Sequence, residues 1–294
     1  MKKIKSIIFK KGLEQIENLN LLSFFTEKKF DDNVLHSKDI NYPKISIIMP
    51  SYNQEEFIER SILSVLNQNY PNLEFIIMDG GSTDNSVQII KKYEKHIDFW
   101  ISEKDNGQSD ALNKGIAKAT GDLLGWMNSD DTYLPNALLT VGELYKKEKN
   151  EVIFGNTIAI NEQDELIDVT YSFPFSYNHM VSEGFVAVTQ SIFWTRNLHS
   201  KIPGFDVDLF TNMDLDFYLQ LGEAYDIKKW TYVNEFFGAF RRQRNQKTSE
   251  RFREVMLKDL LYVEKKHNIK YLEKNLKKYI YKLKRYYHYL SLSR

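Results

Sequence analysis

The 294-residue chain contains no cysteine, so its fold does not depend on disulfides or thiolate chemistry. It also lacks an uninterrupted apolar run of about 18 residues, the length that a membrane-spanning helix requires. The start, MKKIKSIIFKK, is basic, but lysines return after the short apolar stretch Ser6 to Phe9, so we expect no export signal. These absences favour a cytoplasmic protein.

The chain also lacks net charge, because 40 basic residues balance 40 acidic ones. The two signs are nevertheless separated along the sequence. Residues 241–294 contain 17 Lys or Arg and 5 Asp or Glu, whereas residues 1–240 contain 23 and 35. The acidic body argues against bulk nucleic-acid binding, while the basic C-terminal part is suited to phosphates, an anionic membrane or the body itself.

Two common phosphate-binding motifs are missing. The pair Gly80-Gly81 does not supply the G-x-G-x-x-G spacing, and no G-x-x-x-x-G-K-[ST] occurs. The sequence therefore argues against a nicotinamide-dependent oxidoreductase and against a P-loop.

What the chain does contain, after the joint Asn41-Tyr42-Pro43, is an alternation of strands and helices. The apolar runs ISIIM and LEFIIM are typical of strands that are buried on both faces of a parallel sheet. We predict strands at residues 45–49, 73–78, 98–102, 123–127, 152–156 and 230–233. We predict helices at residues 13–25, 55–68, 84–95, 109–119 and 214–223, and another from residue 135. This alternation predicts an α/β fold with a mostly parallel, Rossmann-like sheet flanked by helices.

The pattern divides the chain into three parts. Residues 1–43 form an N-terminal extension, residues 44–248 the main domain, and residues 249–294 a basic, aromatic helical extension that Ser249 is suited to cap. The final segment, YLEKNLKKYIYKLKRYYHYLSLSR, leaves two alternatives open. It lies on an anionic membrane surface through its aromatic side, or it packs on the body through its tyrosines.

Three polar clusters follow successive strands, Ser51–Asn53, Asp79–Ser86 and Asn128–Asp131. We expect them at one edge of the sheet, where α/β proteins bind ligands. In the last cluster Asp130 and Asp131 are adjacent carboxylates after a buried strand, and carboxylate oxygens suit Mg²⁺ or Mn²⁺. The alternative is that they cap the following helix.

Three segments in order carry a resemblance to a known family: ISIIMPSYNQEEFIERSILSVLNQNYPNLEFIIMDGGSTDNS, SEKDNGQSDALNKGIAKATGDLLGWMNSDD and PGFDVDLFTNMDLDFYLQL. From residue 44 to about residue 248 the chain resembles the family 2 glycosyltransferases, which have a GT-A fold. These enzymes move a sugar, with inversion, from a nucleotide diphosphate donor. The resemblance implies a transferase that uses Mn²⁺ or Mg²⁺, a UDP-sugar and a glycan or lipid-linked acceptor, in the synthesis of a surface polysaccharide or glycoconjugate.

The resemblance also implies a set of donor-binding residues. Those expected at the nucleoside are Pro50, Ser51, Tyr52, Asn53 and Asp79, and those expected along the rest of the donor are Asp105, Asp110, Asn113, Lys114 and Asn128. At Gly80 relatives usually carry a second acid, so this chain departs from the pattern at the base pocket. For Asp105 and Lys114 a helix cap or a solvated charge is the alternative.

In the acidic motif the resemblance implies that Asp131 is the metal ligand and that Asp130 faces the ribose or the metal. A divalent cation would stabilise the charge that develops on the leaving diphosphate. By the same resemblance, the loop FRRQRNQKT closes over the donor diphosphate, with Arg241 or Arg242 and Lys247 at its basic positions. The alternative is a basic surface loop. Gln243 stands where relatives often carry a histidine.

Inverting transfer needs one base to take the proton of the acceptor hydroxyl. The resemblance aligns Asp214, in the segment NMDLD, with this base, and a helix cap is the alternative; Asp216 is expected to cap or brace the helix. The residues expected at the acceptor are Gln190, Trp194, Gly204, Phe205 and Asp206. For the aromatic rings among them, packing in the hydrophobic core is the alternative.

Two alternative functions each predict a different property. A nucleotidyltransferase on a related fold would carry a glycine-rich, basic loop after the first strand, where this chain has the acidic PSYNQEE. A non-catalytic sugar-nucleotide binder would bind donor without releasing UDP, and the retained acids Asp130, Asp131 and Asp214 argue against it. We expect a cytoplasmic enzyme with no nucleic-acid partner, located at the inner face of the cell membrane if the tail binds lipid.

Overall fold

The computed structural model describes residue 39 and residues 41–174, 177–183, 187–224, 230–244 and 246–269. The strands in this part of the chain are β1 (Ile45–Ser51), β2 (Leu73–Asp79), β3 (Phe99–Ser102), β4 (Leu123–Trp126), β5 (Thr132–Tyr133), β6 (Val152–Ile160), β7 (Leu166–Thr170), β8 (Ile192–Thr195) and β9 (Trp230–Arg241). The helices are α1 (Ile58–Leu66), α2 (Ser86–Lys92), α3 (Gln108–Lys118), α4 (Ala137–Glu148), α5 (Tyr177–Glu183), α6 (Arg196–His199), α7 (Met213–Ala224) and α8 (Arg253–Lys266).

These strands form one sheet in the order β3-β2-β1-β4-β8-β6-β9-β5, with β7 paired to β6. Strand β1 pairs in parallel with β2 and β4, and β2 pairs in parallel with β3. Strand β8 is antiparallel to both of its neighbours, and β9 is parallel to β6. The predicted α/β fold is confirmed, and its parallel half brings the carboxyl ends of β1, β2, β3 and β4 to one edge.

The apolar runs predicted from the sequence bury both faces of the sheet. Ile48 and Ile76 belong to a core cluster that includes Phe217 of α7, whereas Ile47 and Ile77 belong to a cluster on the opposite face with residues of α1 and α4. Because each fully buried large apolar side chain contributes about 1.5–3 kcal/mol, such two-sided burial holds the strand ends in fixed positions.

Some boundaries differ from the sequence-based expectation. Strand β1 continues through Pro50 to Ser51, and β9 extends to Arg241. The short elements β5, β7, β8, α5 and α6 were not predicted. The helix predicted at residues 13–25 and the tail after residue 269 lie outside the described residues. None of the helices described is long and apolar enough to cross a membrane.

Candidate active site

The end of β1 and the two residues after it supply four of the five residues expected at the nucleoside. Pro50 and Ser51 are buried within the strand. Asn53 binds the neighbouring turn, since its Oδ1 accepts a hydrogen bond from Thr83 N at 2.8 Å. Tyr52 is 59% exposed. The aromatic ring that this strand end offers to a ligand is therefore that of Tyr52.

Asp79 holds the turn between β2 and α2. Its Oδ2 accepts hydrogen bonds from Gly81 N at 3.2 Å, Ser82 N at 2.9 Å and Ser102 Oγ at 2.6 Å, and its Oδ1 accepts one from Ser82 Oγ at 2.5 Å. Gly81 has a φ of +81°, a conformation that glycine adopts without steric cost. The buried Asp79 carboxylate thus shapes the pocket at this edge through the turn.

Gly80 leaves space for a carboxylate from the loop between β3 and α3. A Cβ at position 80 would lie 2.6 Å from Asp105 Oδ2, which is shorter than any real contact of that kind. Asp105 is held there because its Oδ1 accepts a hydrogen bond from Gly107 N at 2.8 Å. The Asp105 carboxylate therefore occupies the space that a side chain at position 80 would need.

Helix α3 carries the other residues expected along the donor. The Lys114 ammonium lies 3.1 Å from Asp110 and 3.5 Å from Glu103, and these carboxylates raise its pKa. Asn113 is engaged by the backbone of Phe205, donating from Nδ2 to its carbonyl at 2.7 Å and accepting from its N–H at 2.9 Å. Asn113 therefore holds the loop before α7, in contrast to the donor contact expected from the sequence.

Asp131 is completely buried, and both of its carboxylate oxygens are engaged. Oδ1 accepts a hydrogen bond from Arg241 N at 2.8 Å and Oδ2 accepts one from Asn128 Nδ2 at 3.0 Å. Burial and the neighbouring Asp130 charge raise the pKa of Asp131 well above its usual range. This environment differs from the metal-ligand role expected for Asp131, because the side chain has no surface open to a ligand.

Asp130 is the carboxylate of the pair that is partly exposed. Its Oδ2 accepts a hydrogen bond from Gln243 Nε2 at 2.8 Å, and burial raises its pKa. Among the described residues, no three His, Cys, Asp or Glu side chains are grouped closely enough to hold a metal by themselves. One carboxylate is nevertheless compatible with Mg²⁺ or Mn²⁺, which commonly keeps waters and substrate phosphates as its other ligands. Asp130 fits that requirement.

Asn128 connects the acidic turn, which consists of residues Asn128–Asp131, to the surrounding elements. Its Oδ1 accepts hydrogen bonds from Gln108 Nε2 at 2.8 Å and Trp126 Nε1 at 2.7 Å, and its Nδ2 lies 3.3 Å from Thr189 Oγ1. Thr189 Oγ1 in turn donates to Oε1 of the fully buried Gln190 at 3.2 Å. Gln190 therefore supports the acidic turn from below, in contrast to the acceptor contact expected from the sequence.

The two arginines of the basic loop bind protein groups. Arg241 is completely buried; its Nε donates to the Asp130 carbonyl at 2.8 Å, and its guanidinium pairs with Asp164 at 2.6 Å. The exposed Arg242 lies 3.3 Å from Asp168. Arg241 is therefore held beneath the acidic turn and Arg242 lies on the surface, whereas the sequence predicted that one of the two meets the donor.

Lys247 is the loop cation that lies among the candidate site residues. Its Nζ donates to Gln108 Oε1 at 3.0 Å and sits 4.6 Å from the centre of the Phe210 ring. Burial lowers the pKa of Lys247 to about 8, although the carboxylates of Asp105 and Asp214 act in the opposite direction. None of the ion pairs between described residues includes Lys247, so its charge is available to an anionic ligand.

Asp214 lies in the first turn of α7, where its Oδ1 accepts a hydrogen bond from Leu215 N at 2.8 Å. Burial raises the pKa of Asp214, and the Lys247 ammonium opposes this rise. The neighbouring Tyr218 also faces this carboxylate, whose charge adds to the burial that raises the tyrosine pKa. A carboxyl whose pKa is raised toward neutrality is suited to accept a proton.

Most of the residues expected at the acceptor lie in the core or in loop contacts. Trp194 is completely buried, with its ring centre 4.9 Å from that of Phe217, and Phe205 stacks on the same ring at 4.1 Å. Gly204 turns the chain with a φ of +93°. Asp206 binds α8. Burial leaves Trp194 no surface for a sugar.

Two residues of this region were not among those predicted from the sequence. Gln108 links Lys247 to Asn128, and Phe210 is 43% exposed beside Lys247. Both lie within the segments that carried the family resemblance. Their positions in those segments were a usable signal, but only the fold shows that they approach the same ammonium.

The comparisons with known proteins agree with this architecture. A family model described as "Glycosyl transferase family 2" matches residues 46–204. The chain therefore belongs to the family 2 glycosyltransferases, and the resemblance inferred from the sequence is confirmed. Asp214 and the basic loop lie beyond the end of this match.

Individual relatives are similar over parts of their length. An uncharacterised glycosyltransferase of Haemophilus influenzae is 43% identical over 95 residues, 31% of this chain and 38% of the relative. One of Mycobacterium tuberculosis is 33% identical over 60% of this chain and 68% of its own length. The chondroitin synthase of Escherichia coli is 29% identical over 62% of this chain but 27% of its own length. The match thus spans less than half of the Haemophilus and Escherichia relatives.

Two solved structures share the fold. Residues 1–349 of S. aureus TarS, in complex with UDP-GlcNAc, align with a TM-score of 0.57 and 17% identity over 80% of this chain and 70% of that one. The mannosyltransferase PcManGT of Pyrobaculum calidifontis, in complex with GDP-Man and Mn²⁺, aligns with a TM-score of 0.56 and 15% identity over 90% of this chain and 75% of that one. At these identities the likeness concerns the fold alone.

Proposed function

We propose that this glycosyltransferase moves a sugar from a nucleotide diphosphate donor, a UDP-sugar, to a hydroxyl of a glycan or lipid-linked acceptor, with inversion at the anomeric carbon. The observation that carries the proposal is the arrangement around Lys247. Its ammonium contacts Gln108, which binds Asn128 of the acidic turn, and interacts electrostatically with Asp214. The cation proposed for the diphosphate is therefore linked to the turn that carries Asp130 and interacts with the candidate base.

In this proposal Asp214 takes the proton of the acceptor hydroxyl while that oxygen forms its bond to the anomeric carbon. The bond from this carbon to the diphosphate breaks on the opposite face, and Lys247 stabilises the departing negative charge. Asp130 would hold Mg²⁺ or Mn²⁺, which when bound supplies further charge stabilisation to the diphosphate. Because the pKa of Lys247 is about 8, this side chain is mostly cationic at neutral pH.

Three finer points belong to the same proposal. UDP and GDP are each bound by a structural neighbour of this chain, and we place UDP first because TarS is seen with UDP and UDP-GlcNAc. Relatives that include chondroitin and hyaluronan synthases support a role in polysaccharide synthesis. We further propose residues 44–248 as the catalytic domain and a cytoplasmic location, with the tail at an anionic membrane. Cosedimentation with anionic vesicles, compared with a chain that ends at residue 268, tests the membrane contact.

Asp214→Asn tests the proposed base. We expect it to abolish sugar transfer while Mn²⁺-dependent UDP binding stays within about twofold, because the amide keeps an oxygen for Leu215 N but does not accept a proton. Asp208→Asn, in the exposed part of the preceding loop, is the matched control. A thermal-shift screen of nucleotide diphosphates with Mn²⁺, followed by turnover of the matching sugar donors, supplies the assay. Loss of UDP binding in Asp214→Asn would instead make Asp214 a helix cap.

The same screen separates this proposal from a non-catalytic binder. A binder would be stabilised by a sugar donor without releasing UDP from any member of the donor panel. An enzyme releases UDP, and its release is lost in Asp214→Asn.

A further inference from the structure

Helix α8, which lies beyond the region matched by the family model, holds the backbone just before α7. The buried Asp259 accepts two hydrogen bonds at its Oδ2, from Thr211 N at 2.7 Å and from Thr211 Oγ1 at 2.8 Å. In addition, Asn212 Nδ2 donates to the Met256 carbonyl at 2.9 Å. Two consecutive residues of the loop are therefore attached to α8.

These contacts hold a residue that has an unfavourable backbone conformation. Asn212 has a φ of +53°, in the left-handed region, which costs a residue other than glycine about 1 kcal/mol unless the surroundings hold it. The Asn212 carbonyl then accepts the hydrogen bond from Asp216 N at 3.0 Å that begins α7. Asp214 lies between these two residues, so the direction of its side chain depends on this turn.

The end of α8 also contacts α7 on the other side of Asp214. Asp216 is completely buried and is bound by Lys266 Nζ at 3.0 Å and by His267 Nε2 at 2.8 Å. Gln220 Nε2 donates to Asp216 as well, at 2.7 Å. Helix α8 thus holds the first turn of α7 both before and after Asp214, while Asp214 itself makes no contact with α8 among the described hydrogen bonds.

We infer that Asp259 is a positioning residue for the reaction: by fixing the backbone of Thr211 and Asn212, it directs the Asp214 carboxylate toward the acceptor. This inference rests on the proposed role of Asp214 as the base. It adds that the part of α8 carrying Asp259 belongs to the catalytic unit, although it follows residue 248.

The geometry provides a matched pair of substitutions. Asp259→Asn and Asp259→Ala both remove a negative charge that acts on Lys247, but the asparagine keeps a side-chain oxygen for both Thr211 donors. A difference between the two variants therefore reports the hydrogen bonds and excludes the charge. Arg253→Ala, which removes an exposed ion pair between the first residue of α8 and the preceding Glu250, is the control for a general effect on α8.

The test is a pH titration of the full-length protein with ¹³C-carboxyl-labelled aspartate, followed by NMR. The Asp214 resonance is assigned by its loss in Asp214→Asn. In wild type we expect Asp214 to titrate above the usual value of about 3.9, since burial raises its pKa while Lys247 opposes it. In Asp259→Ala the released turn admits water, so the titration should move down toward the usual value. Asp259→Asn and Arg253→Ala should titrate close to wild type.

Turnover gives a second readout. A catalytic group that moves by about 1 Å can lose about 100-fold in rate, so we expect UDP release to be about 10- to 100-fold slower in Asp259→Ala than in Asp259→Asn. Both variants remove the charge that acts on Lys247, so the Kd for UDP and Mn²⁺ should be the same in the two. If Asp259→Ala does not fold, Thr211→Val, which removes the hydroxyl contact alone, should lower the Asp214 pKa and the rate in the same direction, and Thr211→Ser should restore both.

An unchanged Asp214 titration in Asp259→Ala, or an equal change in Asp259→Asn or in Arg253→Ala, would overturn the positioning role. If Asp214→Asn is inactive in that case, the proposed base survives and the positioning inference alone fails. If Asp214→Asn keeps full activity, the base itself is misassigned, and the positioning inference fails with it.

Discussion

Asp130 and Asp131 are adjacent in the chain, yet their contacts predict opposite effects of substitution. Asp131→Asn keeps an oxygen for Arg241 N but turns an amide N–H toward Asn128 Nδ2, so that two buried donors face each other. An unsatisfied buried polar group costs about 1–3 kcal/mol, so we expect the free energy of unfolding to fall by about 2 kcal/mol. Asp131→Ala leaves both donors unpaired and should cost about 2–6 kcal/mol on the same basis.

Asp130→Asn is the matched variant at the neighbouring position. Its amide oxygen still accepts from Gln243 Nε2 and its side chain is partly exposed, so the free energy of unfolding should stay within about 0.5 kcal/mol of wild type. The substitution removes the carboxylate that fits a divalent cation. We therefore expect it to abolish the gain in UDP affinity that Mn²⁺ provides.

Two measurements distinguish the structural carboxylate from the one that binds the cation. Urea unfolding followed by circular dichroism, in EDTA, gives the stability of each variant, and calorimetric titration with UDP gives the affinity in Mn²⁺ and in EDTA. The reasoning is refuted if Asp131→Asn unfolds like wild type and loses the Mn²⁺-dependent gain while Asp130→Asn retains it. That outcome would restore the metal role that the family resemblance implied for Asp131.

Three further predictions follow from other contacts. Lys247 loses its charge as pH rises through about 8, so UDP affinity in calorimetry should fall over that interval, and Lys247→Met should bind weakly at every pH. Burial lowers the pKa of His267, but hydrogen bonds to two carboxylates outweigh it and raise the pKa above 6.5. Its stabilising effect is therefore present at low pH and lost as pH rises through the raised pKa; His267→Gln should flatten that part of the urea-unfolding stability profile. Gly80→Ala should lower the melting temperature, because its Cβ meets Asp105, and a doubly substituted Gly80→Ala, Asp105→Ala chain should regain part of the loss.

The sequence predicts the elements whose signal is local. The apolar runs of β1 and β2 and the amphipathic helices appear in the structure within a few residues of their expected bounds. Strand β9 is longer than expected because its middle residues Asn234 and Glu235 are exposed, which interrupts the apolar pattern that predicts a strand. The two-residue strand β5 has no pattern of its own and exists through its pairing with β9.

The roles of individual site residues depend on contacts between distant parts of the chain. Asp131 is satisfied by Arg241, 110 residues later, and Asp259 by Thr211, 48 residues earlier. Nothing in the sequence beside Asp131 distinguishes a satisfied carboxylate from one that is open to a cation. Similarly, an acid in an amphipathic helix such as α8 is usually solvated, so Asp259 gave no signal before the fold placed it beneath the loop.

The burial of Arg241 has a mechanical consequence for the basic loop. Its N–H, Nε and guanidinium are fastened to Asp131, Asp130 and Asp164, so the chain is immobilised up to this residue. If the loop moves to cover a bound donor, the backbone change must therefore occur after Arg241. Gln243 is the first side chain after Arg241 that contacts the acidic turn. Because the Gln243 amide donates to Asp130 Oδ2, a cation that binds this carboxylate would compete with the glutamine for the same oxygen.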